Sequence, residues 1–295
     1  MKIAFIWYGI DGRYGIWKDG LWAAMKHIEK EHEVSYFEPT DDILSFNPDI
    51  ILFWEAACTR VSKDKEMFEK VMSLPYKKYL LFAGGPIKKE WFDGFEHVFV
   101  ESLINKDEMD MLGISNSVAF GINEKIMVPL IMDKKYDGIH HGTCASWKRQ
   151  WLVGESLGKT GLVVGRNQES DPMPFERCIE LGCTVLPETD ADSICLLLNQ
   201  SHCCLQTSDY WGGGQRCTLE AMACNIPVIC MEDSPKNREY VEESGFGLVV
   251  PPDANKIKDA VKIIKETDYG KAGREYILSK WTSKHYADNL MKIIK

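Results

Sequence analysis

The stretch SDYWGGGQRCTLEAMACNIPVICMED, Ser208 to Asp233, decides the reading of the chain. Three glycines, Gly212 to Gly214, precede a run of helix-forming residues that stops at Asn225-Ile226-Pro227 and gives way to an apolar strand. A helix ends ahead of proline because the ring lacks an N–H and pushes the preceding residue out of the α region. After Gln215 and Arg216 the helix is Cys, Thr, Leu, Ala and Met around a single carboxylate, Glu220. A helix this apolar is largely buried, and a buried carboxylate needs a partner.

Two partners are available. Arg216 lies four residues before Glu220, in the weaker order for a helical ion pair, worth ~0.2–0.5 kcal/mol. The other is a ligand: vicinal hydroxyls of a ribose on Glu220, with its phosphates on the free N–H groups where Gly213, Gly214 and Arg216 open the helix.

The strand–helix grammar of this stretch recurs along the whole chain. KIAFIWYG, EVSYFEP, DIILFWE, KYLLFAGG, HVFVES and NSVAFG read as strands in the first half, with helices near 16–30, 63–73 and 106–112. YDGIHHG, TGLVVGR, CTVLPE, CCLQTS, PVICMED and FGLVVPP repeat the pattern in the second half. Strands this rich in Val, Ile, Leu and Phe are buried on both faces, which means parallel sheets covered by helices. The expected fold class is α/β, with two Rossmann-like doubly wound parallel-sheet domains facing across a cleft. Pro129 and the charged Asp133-Lys134-Lys135 run place the boundary near 128–135. Residues 1–130 then form the first domain and 131–282 the second, with a closing helix at 283–295 packing back on the first.

Composition narrows the class. With 295 residues, 45% hydrophobic and 27% charged, the chain can bury a sizeable core. The net charge of −9 is spread over both halves without a Lys/Arg cluster, which argues against nucleic acid as a partner. No apolar run approaches a membrane span and the start does not read as a signal peptide, so a cytoplasmic location is expected. The ten cysteines include no C-x-x-C pair and fall on strands and helices, as buried free thiols do.

Three further segments bear on chemistry. In YGIDGRYGIWKDG, Gly12 and its neighbouring glycines let backbone approach a ligand, although the spacing is not that of a dinucleotide fingerprint. In HHGTCASWKRQW, Lys148 and Arg149 are expected in the first turn of a helix capped by Thr143 or Ser146. Cations are unfavourable there unless an anion joins them, so the pair reads as a phosphate site, the alternative being two solvated charges on a helix surface. His140 and His141 end the preceding strand; with no zinc ligand set beside them, hydrogen-bonding roles are expected rather than metal. Asp190-Ala-Asp192 precedes a helical run and reads as a cap rather than a metal motif.

TLEAMACNIPVIC at 218–230 and EYVEESGFGLVVPPD at 239–253 resemble the donor domain of GT-B glycosyltransferases of family 4, whose signature is a Glu-x7-Glu motif running into LEAMACG-PVV. EKEHEV and the closing WTSKHYADNLMKIIK fit the same pattern in order. The resemblance implies a retaining, metal-independent transferase with no cofactor, moving a hexose from a UDP- or GDP-type nucleotide sugar to an unknown acceptor. It places Glu220 on the donor ribose, Lys148 on the phosphates with Arg149 as a substitute for the family's arginine, and the backbone of Thr218 and Leu219 facing the diphosphate. His141 joins this donor set, and Glu55, ending DIILFWE, would contact the acceptor. The sequence departs from the family at Gly212, where the first glutamate is expected, and at Gly84-Gly85, where a histidine often stands. A DNA-base glycosyltransferase, a non-catalytic sugar-nucleotide-binding protein and a GT-B epimerase are the alternatives.

Overall fold

The computed structural model describes residues 1–7, 18–38, 41–54, 65–84, 87–168, 170–210 and 215–294. It divides into two compact units, Met1–Gly121 with Ser283–Lys295, and Ile122–Thr282. Each is built on a six-stranded parallel sheet, and each strand falls on one of the apolar runs read from the sequence.

In the first unit, β1 (Lys2–Ile6), β2 (Glu33–Phe37), β3 (Ile50–Trp54), β4 (Lys77–Phe82), β5 (His97–Val100) and β6 (Asn116–Val118) are ordered β2-β1-β3-β4-β5-β6. Ile3, Ala4, Phe5 and Ile6 are wholly buried, as a strand covered on both faces requires. Caps set the helix starts. Asp19 accepts from the Trp22 N–H, so the first helix is Gly20–Ile28, and Ser102 accepts from the Asn105 N–H, moving the helix expected near 106–112 to Leu103–Met111. The closing helix Ser283–Ile294 lies against Gly20–Ile28, with Tyr286 tilted over Phe120. The order reverses between β1 and β3, the position at which such sheets bind ligands. Gly12 and Glu55 follow these two strands in sequence and lie outside the described residues.

In the second unit, β7 (Tyr136–His141), β8 (Gly161–Val164), β9 (Thr184–Leu186), β10 (Ser201–Gln206), β11 (Val228–Met231) and β12 (Gly247–Val250) are ordered β12-β11-β10-β7-β8-β9. This is the Rossmann order, with its switch point between β7 and β10. Residues 122–130 belong here and not with the first domain. The Arg274 guanidinium donates to the carbonyls of Glu124 (2.8 Å) and Met127 (2.5 Å), and Asn199 Nδ2 donates to Val128 O at 3.0 Å. The break in apolar rhythm near Pro129 therefore marks the approach to β7, not the boundary between units.

The helix Gln215–Ala223 ends as its sequence requires. Asn225 turns left-handed (φ 57°), its N–H bonds Met222 O and the Ile226 N–H bonds Ala221 O, a Schellman closure that Pro227 makes final. Asp190 accepts from the Ser193 N–H at 2.7 Å, so Asp190-Ala-Asp192 is a cap. The nine described cysteines are free thiols, and all but Cys183 are buried.

Gly247 opens β12 at φ 145°, and a Cβ there would lie 1.9 Å from Val228 O on β11. Gly247→Ala must displace backbone, not a side chain. We expect it to lower the urea midpoint of unfolding by the equivalent of at least ~1–3 kcal/mol; an unchanged midpoint would contradict the tight β11–β12 pairing.

Candidate functional site

The switch point of the second unit gathers its polar residues. His141 ends β7 and is buried, and its Nε2 lies 2.9 Å from Glu220 Oε2. Glu220 is itself buried, at 7% exposure. Arg216, half exposed, approaches the other carboxylate oxygen at 3.8 Å. Burial works against a charged imidazole, yet Cys217, Cys204 and Glu220 around it hold His141 well above the ordinary histidine range. The Cys217 thiol, for which burial alone would act upward, is drawn down by His141. The carboxylate that the sequence leaves without a strong partner thus has one, supplied by the end of the neighbouring strand.

Beyond His141 the chain turns through Gly142 at φ 125°, a conformation suited to glycine. Gly142 and Gly165 touch back to back: a Cβ on Gly165 would sit 1.7 Å from Gly142 O. A Cβ on Gly142 would meet Cys217 Sγ at 3.5 Å and Lys148 Nζ at 3.7 Å. The Lys148 ammonium therefore hangs over bare backbone beside the start of the helix that carries Glu220.

The loop between Gly142 and Lys148 is braced throughout. Gln150, wholly buried, donates to Thr143 O at 2.8 Å and to His140 Nε2 at 3.2 Å, while His140 Nδ1 donates to Leu205 O at 2.7 Å. Asp171 accepts from both the N–H and the hydroxyl of Ser146. Thr207 Oγ1 donates to Lys148 O at 2.6 Å. Arg149, left-handed at φ 49°, donates to Thr207 O, to Ser208 O and through two nitrogens to Asp233, at 2.7–2.9 Å.

Residues 176–276 match the family Glycosyl transferases group 1. A comparison with curated proteins found no match. Among solved structures, sucrose-phosphate synthase from Thermosynechococcus elongatus is similar over 100% of this chain and 98% of its own, at 14% identity and a TM-score of 0.76. HepE of Anabaena, solved in complex with UDP and glucose, is similar over 100% and 99%, at 12% identity and a TM-score of 0.76. A glycosyltransferase from Rickettsia africae is similar over 99% and 97%, at 16% and 0.71.

The chain has the GT-B fold.

Within this GT-B chain Lys148, His141, Glu220 and Arg216 come together at one switch point. Arg149 lies beside them but is turned to bracing. Neither Lys148 nor Arg149 stands in the first turn of a helix: Ser146–Lys148 is a short 3₁₀ turn, and the α-helix begins at Trp151. Ser146 is held by Asp171 instead of capping, and Thr143 lends only its carbonyl to Gln150. Thr218 is wholly buried, with its hydroxyl donating to Asn237 Oδ1 at 2.8 Å. Leu219, also wholly buried, stands four residues into the helix, where its N–H joins the i→i−4 ladder and is not offered to a ligand. Gly213 and Gly214 lie outside the described residues.

The hydrogen-bonding role expected of His140 is met, but sequence reasoning missed the rest of the bracing shell, Gln150, Asp171 and Asp233. It also missed Lys236, buried at the start of the helix Pro235–Ser244 with its ammonium 5.9 Å from the Tyr210 ring centre. A basic residue directly after Ser-Pro at a helix start was the available signal. Among the described residues no helix is long and apolar enough to cross a membrane.

Burial, with Lys148 adding to it, lowers the His140 pKa to about 3. A histidine held neutral in the fold but ordinary when unfolded stabilises fully above pH ~6.5, and loses ~1.4 kcal/mol per unit as pH falls toward the folded value. The stability difference between wild type and His140→Gln should therefore shrink by about that slope between pH 6.5 and pH 5. A difference independent of pH would show that His140 is not held neutral.

Proposed function

We propose that the protein is a glycosyltransferase that takes a hexose from a nucleotide-diphosphate sugar of UDP or GDP type. The observation that carries the proposal is the meeting, at the Rossmann switch point, of a buried Glu220 fixed by His141 with the Lys148 ammonium over Gly142. The group 1 segment and the likeness to HepE, which was solved with UDP, support the same reading.

Glu220 would accept hydrogen bonds from the ribose diol. His141 occupies one carboxylate oxygen and so fixes the side-chain orientation, while the exposed Arg216 can swing aside from the other. With the ribose held, the diphosphate falls toward Gly142 and the start of the Gln215–Ala223 helix, where Lys148 and helix-terminal N–H groups meet its charge. As the bond from the sugar to the diphosphate breaks, negative charge grows on the leaving oxygen, and a cation already in position stabilises it without reorganisation. Arg149 is a positioning residue in this scheme, because it holds the loop that presents Lys148. Transfer with retention of configuration and without metal follows the family resemblance.

The test is calorimetric titration with UDP-glucose and GDP-mannose, followed by turnover of the better donor. Glu220→Ala should weaken donor binding by roughly 10–100-fold, the worth of hydrogen bonds to a charged group. Lys148→Ala should lower turnover, measured as transfer or slow donor hydrolysis, by about 10²–10³-fold. Donor affinity unaffected by Glu220→Ala would remove the ribose role. Tight donor binding with neither transfer nor hydrolysis would leave a binding protein and not an enzyme.

Arg149→Lys keeps the charge but cannot make the forked contact with Asp233 while reaching Thr207 O and Ser208 O. It should lower turnover at least about tenfold with a smaller change in donor affinity, as expected when the group that stabilises the transition state is misplaced. Equal losses in both would assign Arg149 to the donor itself.

A further inference from the structure

His141, Cys217 and Glu220 form a grouping that donor binding does not explain, because a thiol has no part in holding a ribose or a diphosphate. Cys217 and Glu220 are three residues apart and so share one side of the helix Gln215–Ala223, the side that meets the end of β7. One ligand atom from each of the three lies within 4.8 Å of the other two, and all three residues are buried. Zinc, at ~2.0–2.3 Å from nitrogen, sulfur and oxygen, holds its ligand atoms roughly 3.3–3.7 Å apart, so movements of about 1 Å would close this set around an ion. A mixed nitrogen, sulfur and oxygen set suits zinc or cobalt and not magnesium or calcium, which take oxygens.

The surroundings point the same way. Cys204 Sγ lies 4.0 Å from His141 Nδ1, and Gln206 Nε2 donates to that sulfur at 3.3 Å. Gln206 is wholly buried, and its Oε1 has no hydrogen-bond partner among the described residues. A buried acceptor without a donor, at the end of a polar chain that leads to the three ligands, is a group awaiting something polar. Arg216 and Lys148 are the nearby cations that would oppose a metal ion; Arg216, its side chain 42% exposed, faces Glu220 Oε1 at 3.8 Å and not the Oε2 that meets His141, so it can withdraw to solvent.

We propose that His141, Cys217 and Glu220 bind one zinc-class divalent cation, with a fourth position open, and that this ion excludes the nucleotide-sugar donor. When it binds, the thiol proton of Cys217 and one ring proton of the His141 imidazolium pass to solvent as the metal–sulfur and metal–nitrogen bonds form, and Glu220 Oε2 exchanges its imidazole contact for the metal. The ion is an inhibitor of the site, because it takes the carboxylate that would hold the ribose. The metal site rests on the geometry alone, whereas the exclusion of donor rests on the proposed function.

Cobalt titration of the full chain tests the site. The expected result is a thiolate-to-cobalt absorption band that saturates at one ion per chain, with zinc displacing it. Cys217→Ala should abolish the band and weaken zinc binding, read by calorimetry, by more than the ~10–100-fold that loss of an outer partner costs. Glu220→Gln provides a second ligand deletion with little change in volume and should weaken zinc as well. No band, or a band that persists in Cys217→Ala, would overturn the site. Saturating UDP should weaken zinc binding at least tenfold. If zinc binds equally well with UDP bound, the exclusion is overturned and the metal site stands. Failure of UDP to bind the metal-free protein is a separate result that bears on the proposed function.

Discussion

A carboxylate inside an apolar helix is the constraint on which the second unit depends. Glu220 stands among Cys217, Leu219, Ala221, Met222 and Ala223, all buried, in a helix that would otherwise be interchangeable hydrophobic packing. Removing one partner from a buried pair costs ~3–5 kcal/mol, so the helix has to meet β7 in the register that brings His141 to Glu220. That register fixes more than the pair. It sets the start of the helix against Gly142, which the pairing of β7 with β8 in turn sets against Gly165, where no Cβ on Gly165 can be accommodated. The site is thus specified by one charge that must be satisfied, one residue, Gly165, that must lack a Cβ, and one, Gly142, whose φ of 125° favours glycine.

The division of labour between the two adjacent cations follows from their chemistry. Arginine offers five N–H donors in a fixed fork, and Arg149 commits four donor contacts to two carbonyls and a carboxylate. Such a group acts as a brace: it links the loop after β7 to the end of β10 and to Asp233 beyond β11. Lysine is a single charge on a flexible stem, better able to follow a phosphate as its charge grows. A sequence of Lys148-Arg149 reads as two equivalent cations, yet the backbone separates them, Lys148 ending a 3₁₀ turn and Arg149 turning left-handed.

Much of this was legible in the sequence. Period and composition identified the twelve strands, because a central strand buried on both faces leaves a continuous apolar run and the half-buried edge strands β2, β6, β9 and β12 keep enough of the pattern, and the stop at Asn225-Ile226-Pro227 was readable residue by residue. Glu220 announced itself as a charge in the wrong surroundings. The rest depended on contacts distant in sequence. Nothing near His141 says that it will meet a carboxylate 79 residues later, and nothing near Gln150 says that it will sit between Thr143 and His140. The boundary was misplaced for the same reason: Pro129 is a local signal, whereas the hold of Arg274 on Glu124 and Met127 spans about half the chain. A cap at Thr143 or Ser146 is what a local signal predicts, but Asp171, a remote competitor, takes Ser146.

The bracing also bears on the proposed diphosphate role. A flexible loop could bring a lysine to a phosphate, but part of the interaction would then be lost in ordering the loop on binding. Here the ordering is completed on folding. Gln150, Asp171, Thr207 and Arg149 hold the loop in the free protein, and the neutral His140 beneath it accepts from Gln150 without adding a second positive charge. Protonating His140 would bury a cation near Lys148 and remove the acceptor that Gln150 uses. The low pKa of that histidine therefore serves the loop's geometry as well as its electrostatics, which makes a buried side chain part of what positions the lysine.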